Sequence, residues 1–147
     1  RIIAHYQNLF VRHPILTIRN LMDLKAALEA MPIKELIEGR LCFKGKVCAL
    51  GAYAEYKGIS FKALARVASP DVDGYQSPEK VSRWISTHLP ISQTLAHVIQ
   101  QENDWDAGLS TDRKRYDRML KWVTKAIEDP GATYKDLKEG ITDWFDD

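Results

Sequence analysis

The stretch STDRKRYDRMLKWVTKAIE, Ser110 to Glu128, decides the fold class. Tyr116, Met119, Leu120, Val123 and Ile127 recur at intervals of three and four, which is one face of a 3.6-residue helix. Lys114, Arg118, Lys121 and Lys125 fall at i, i+4, i+7 and i+11 and share the opposite face. Arg113 and Arg115 flank its start, Asp112, Asp117 and Glu128 interrupt the basic run, and Lys125 suits the negative end of the helix dipole. Pro130-Gly131 closes the segment. The spacing predicts a helix over 110–128, the longest of the chain, and such a helix needs others to cover its apolar side.

Working outward, those partners are short. Leu21, Leu24, Leu28 and Met31 recur at helical spacing behind Asn20 as cap, and Pro32 ends them. Ile33, Leu36 and Ile37 predict a further turn of helix closed by Gly39. Val47, Leu50, Gly51 and Ala54 predict a helix to Gly58, and its small face (Gly51, Ala52, Ala54) predicts a close crossing by another helix. Ser60 caps Phe61, Leu64, Ala65 and Ala68. Residues 70–76 form a turn-rich loop, and Ser77-Pro78 starts a helix carrying Val81, Trp84 and Ile85. Beyond Pro90, Leu95, Val98 and Ile99 carry a helix to about Gln101, followed by a polar loop to Ser110. Thr133 with Asp136 resembles a capping box for a last helix bearing Tyr134, Leu137, Ile141, Trp144 and Phe145. No strand of convincing length appears. The reading is all-α: a compact bundle of six or seven short helices without a substantial sheet. Residues 1–19, where Pro14 interrupts an aperiodic run, read as an irregular arm, and 20–147 as one helical domain.

The composition agrees. In 147 residues, 45% are hydrophobic and 28% charged, which excludes a disordered or low-complexity chain. Surface scaling for such a chain allows burial of close to two-thirds of its extended surface, so a core forms without disulfides or metal. Twenty-one Lys and Arg against twenty Asp and Glu leave a net charge of +1, so no global field attracts phosphate. No apolar run approaches the roughly eighteen residues of a membrane span, and no signal-peptide pattern opens the chain. Since the chain begins at Arg1 rather than Met, residues upstream are expected to have been removed or left out of this sequence. Cys42 and Cys48 would stand about 9 Å apart along a helix, beyond disulfide reach, although a loop through Gly45 brings such a pair closer. Two reduced, partly buried thiols in a cytoplasmic protein are the preferred reading.

Four constellations bear on function. Phe61–Arg66 and Val81–Ile85 have the flavour of a DNA-reading helix-turn-helix, but the sixteen residues from Ala65 to Val81 exceed the roughly ten that a tight turn allows. Asp104, Asp106, Ser110 and Asp112 alternate like calcium ligands, yet Gly108 and Arg115 stand where an EF-hand needs acidic residues. Local bonds from Asn103 and Asp104 that shape the turn are expected there instead. Cys48 at a helix start, with His88, His97 and Asn103, sketches a thiol enzyme in which the helix dipole lowers the thiol pKa. The spacing does not specify it, and there is no Gly-rich phosphate loop, zincin helix or nucleophile elbow. No catalytic residue, metal ligand or cofactor is assigned. The fourth constellation is the basic strip of Lys114, Arg118, Lys121 and Lys125, which can meet an acidic protein surface or track a phosphate backbone.

Cys48-Ala-Leu-Gly-Ala-Tyr, followed by Asn103-Asp104 and then Gly108-Leu109-Ser110-Thr111, resembles a family of small uncharacterised proteins of bacteria and their phages. Its members pair a Cys-x-x-Gly-Ala helix with an Asn-Asp…Thr segment that opens a later helix. The likeness covers about half the chain, and the part between the motifs is longer here than the pattern leads one to expect. It implies a compact α fold in a bacterial or phage cytoplasm and lends no catalytic role to any residue. The expected function is therefore that of a non-enzymatic accessory protein that binds a macromolecular partner, a protein first. Nucleic-acid binding through Lys114, Arg118, Lys121 and Lys125 is the alternative, and a Cys48 thiol enzyme the third reading.

Overall fold

The computed structural model describes residues 14–67, 78–105 and 110–128. Among them are six helices: α1 (Pro14–Ala30), α2 (Ala49–Tyr56), α3 (Phe61–Val67), α4 (Pro78–His88), α5 (Gln93–Asn103) and α6 (Asp112–Glu128). One small hairpin, β1 (Cys42–Phe43) with β2 (Lys46–Val47), stands between α1 and α2. The all-α reading holds, with this hairpin as the only sheet among the described residues. None of their helices is long and apolar enough to cross a membrane. The final helix expected beyond Thr133 and the loop over 70–76 lie outside the described residues.

Two of the helix starts read from the sequence form where they were placed. Ser60 Oγ accepts the Ala63 amide at 3.1 Å, and Pro78 is the first residue of α4. Thr111 rather than Ser110 starts α6, its hydroxyl taking the Lys114 amide at 3.2 Å. In α5, Ser92 is the cap. α1 packs on α2 and α6, α4 pairs with α5, and α2 also meets α5. Leu24, Leu50, Tyr53, Ile85, Met119 and Val123, all wholly buried, come from four of these helices and mark the single core.

Three expectations fail for a physical reason. The arm expected over 1–19 is helical from Pro14 onward, and Asn20 is no cap but a buried residue inside α1, sharing its inner face with Leu24. Pro14 is tolerated because a proline in the first turn gives up only an amide that has no helical partner. The turn of helix expected over Ile33, Leu36 and Ile37 does not form, since its backbone groups are engaged elsewhere. Leu36 N–H donates to Asp112 O (3.0 Å) and Ile37 N–H to Val47 O (3.0 Å). Arg115 donates to Leu36 O (2.9 Å) and Asn103 to Ile37 O (2.9 Å). Long-range partners outcompete the local ladder. Finally, the helix expected from Val47 starts at Ala49, because Cys42–Val47 make the hairpin. Its turn residues Lys44 (φ 51°) and Gly45 (φ 81°) both have positive φ, as a type I′ turn requires.

The close crossing expected at Gly51 exists, but its other side is the hairpin and not a helix. A Cβ on Gly51 would lie 2.4 Å from Leu41 O and 2.8 Å from Val47 Cβ.

Candidate functional site

α6 shows what became of the basic strip. Lys114, Lys121 and Lys125 are exposed on its outer face. Arg118 is not part of a free strip. It donates to the carbonyls of Glu102 and of Asn103 (3.1 Å) and reaches the Glu102 carboxylate at 3.4 Å. Those carbonyls end α5, so Arg118 caps that helix from outside. A glutamate there would set a carboxylate against two carbonyl oxygens. The remaining lysines share their face with Asp117 and Glu128, and Arg113 pairs with Asp117 at 3.5 Å. The face is mixed in charge.

Arg115, which the sequence reading placed at the flank of the strip, turns inward and is 1% exposed. Its guanidinium donates to Leu36 O (2.9 Å), Ser110 O (3.4 Å) and Asp112 Oδ1 (3.1 Å). The signal was present in the spacing. Arg115, Met119, Trp122 and Ala126 lie at i, i+4, i+7 and i+11, and all four are buried.

Of the residues behind the family resemblance, Cys48, Ala49, Gly51, Asn103 and Asp104 meet in one buried cluster; Gly108 and Leu109 lie outside the described residues. Asn103 Oδ1 accepts the Ala49 amide at 3.0 Å, and its Nδ2 donates to Ile37 O. Asp104 takes the Gly39 amide (3.1 Å), Gln100 Nε2 (3.1 Å) and Asn103 Nδ2 (2.9 Å). Gly39 has φ 75°, a conformation open to glycine, and this aims its amide at Asp104. Cys48 Sγ–H donates to Gln100 Oε1 at 3.4 Å, while the sulfur accepts the Gly51 amide as cap of α2. Asn103 and Asp104 therefore do not merely shape their own turn: they tie α5 to a segment some sixty-five residues earlier. Gln100 belongs to the set and was missed, although Gln100, Asn103 and Asp104 share one helical face. Burial raises the Asp104 carboxyl above its ordinary value, its three donors opposing that shift.

Cys48 is wholly buried, and burial pushes its thiol up to about 12 against the lowering by the Gly51 and Leu50 amides. This is the reverse of the lowered thiol expected from the helix dipole. Cys42 is also buried and raised by desolvation first; both thiols are free. At neutral pH, iodoacetamide is expected to leave Cys48 unmodified in the native protein and to react only after denaturant is added. Mass spectrometry before and after denaturation checks this. Labelling of native Cys48 as fast as a free thiol would show that the site is open.

The feature suited to binding lies at the C-terminal end of α2. A cleft of about 270 Å³ opens between the end of α1, the turn after it, the hairpin and the last turn of α2. Ala27, Ala30, Met31 and Ala52 give it apolar walls, and Glu35, Lys46 and Glu55 are its charged members. Ile33 (57% exposed) and Tyr56 (49%) stand in solvent at the cleft. Its frame is fixed from several sides. Lys34 donates to Glu29 O at 2.5 Å at the end of α1, and Tyr116 OH to Leu28 O at 2.7 Å. Lys46 bridges Asp112 (3.1 Å) and Glu35 (3.2 Å), bonds that hold its ammonium above the usual lysine value. Beside the cleft, Phe43 projects from the hairpin with the Arg40 guanidinium 4.1 Å and the Lys44 ammonium 5.1 Å from its ring centre.

No protein-family model, curated protein or solved structure matches the chain. The functional reading therefore rests on these residues.

Proposed function

We propose that the chain is a non-catalytic module that binds a partner protein through the cleft between α1, the hairpin and α2. The observation that carries this is the pair of large apolar side chains, Ile33 and Tyr56, held in water beside an apolar-walled depression. Exposed aromatic and aliphatic groups around a small preformed pocket are what binding anchors require. The frame is fixed by the bonds of Lys34, Lys46 and Tyr116, so little ordering entropy opposes docking. Two free, buried thiols suit a reducing cytoplasm, and the bacterial or phage family remains part of the proposal.

The basic face of α6 is the second reading. Lys121 and Lys125, with Leu120, line a shallow depression there, beside Asp117 and Glu128. A nucleic acid would use the same lysines.

Affinity capture from the native host distinguishes them. Ile33→Asp is expected to abolish recovery of the partner while changing stability by less than about 0.5 kcal/mol, since the side chain is exposed. The triple variant Lys114→Glu, Lys121→Glu, Lys125→Glu is expected to keep the partner. The opposite pattern moves the interface to α6. Duplex binding that falls steeply with salt and is lost in the triple variant assigns that face to nucleic acid.

A further inference from the structure

Resting on the cleft as the binding site, we propose that its occupant is a basic side chain of the partner protein, an arginine or lysine. Its stem would lie along Met31 and Ala52 and its charged head at Glu55, beside the Tyr56 ring. At about 270 Å³ the cleft falls below the roughly 300–1,000 Å³ of small-molecule sites and has room for one long side chain. Its walls suit a methylene stem, the part of Lys and Arg that packs on apolar surface while the head stays polar.

The charges decide the rest. Two carboxylates reach the cleft, and they differ. Glu35 is already answered by Lys46 at 3.2 Å. Glu55 pairs with no cation among the described residues. Desolvation raises its carboxyl above the ordinary value, which is the unfavourable condition that an incoming cation relieves. A purely apolar side chain would desolvate Glu55 further with nothing in return. An acidic one would meet Glu35 and Glu55, while the Lys46 ammonium is already held by two carboxylates. Tyr56, next to Glu55 on the last turn of α2 and half exposed, would add cation–π attraction for the same head group.

The test uses the whole chain and four acetylated, amidated Gly-Ser peptides with arginine, lysine, norleucine or glutamate at the centre, followed by amide chemical shifts. Arginine and lysine peptides are expected to shift Met31, Ile33 and Ala52–Tyr56 saturably. The norleucine peptide, with a similar stem and no charge, is expected to bind at least roughly tenfold more weakly, and the glutamate peptide to leave the cleft unmoved. Glu55→Gln, with an unchanged melting temperature, should bring arginine and norleucine to the same affinity. Equal binding of the two by the parent chain overturns the basic occupant, and so does the absence of any shift at the cleft. The cleft itself is judged separately, by whether Ile33→Asp loses the native partner. A concentration-dependent dimer that Glu55→Gln dissociates would make the occupant a second copy and overturn a foreign partner.

Discussion

Asn103→Ala is expected to lower the unfolding free energy by about 3 kcal/mol, read from urea denaturation of the full chain. The side chain is wholly buried and answers two backbone groups at once, the Ala49 amide and the Ile37 carbonyl. Ala49 is the first residue of α2, so its amide has no partner within the helix. Each buried group left unsatisfied costs roughly 1–3 kcal/mol, well above the loss of an exposed hydrogen bond. The change also removes one of the three donors that hold down the Asp104 carboxyl, so that already raised group rises further. Its linkage sign is fixed. A carboxyl raised by folding takes up its proton in the native state first, so on this group's account stability grows as pH falls through the raised value. The gain levels off below the ordinary 3.8. Asn103→Ala should therefore be less destabilising in mild acid than at neutral pH. A loss under about 1 kcal/mol, or no pH dependence, would show that the cluster is not what joins α5 to the hairpin region.

How much of this could be read in advance depends on the range of the forces involved. Helix α6 was legible because its apolar interval is local and repeats over about three turns, and helix α5 because Leu95, Val98 and Ile99 recur at helical spacing. The cap at Ser60 was legible because it needs only three residues. The hairpin was not, since two residues per strand give no alternation to count. The segment 33–37 even carries a helical interval, and partners supplied by Arg115, Asn103, Asp112 and Val47 hold it out of a helix. The basic strip was correct as geometry and incomplete as chemistry. Spacing placed Arg118 on the face of Lys121 and Lys125, but the end of α5 lies there too and takes its guanidinium. The cleft had no sequence signature, because its residues come from separate stretches: Met31 and Glu35 from the turn after α1, Lys46 from the hairpin and Glu55 from α2.

Gly51→Ala should destabilise by about 2 kcal/mol or more, where a glycine-to-alanine change inside a helix ordinarily stabilises by up to roughly 1 kcal/mol. The sign inverts because of what faces the added methyl. It would stand 2.4 Å from Leu41 O, a backbone atom, and 2.8 Å from Val47 Cβ, a branch point. Neither is the loose end of a side chain that can swing away. Relief requires the hairpin to move off α2, and two hydrogen bonds resist that movement: Cys48 N to Leu41 O at 3.1 Å and Ile37 N to Val47 O at 3.0 Å. Moving it would also shift Gly45 and Lys46, which form one wall of the cleft. The substitution therefore couples stability to binding. Hydrogen exchange at Cys48 and Ile37 should accelerate more than the global loss of stability accounts for, and affinity for the cleft's partner should fall as well. A melting temperature equal to or above that of the parent would mean that the hairpin does not press on α2. An unchanged affinity with a lowered melting temperature would mean that the partner does not touch the hairpin wall.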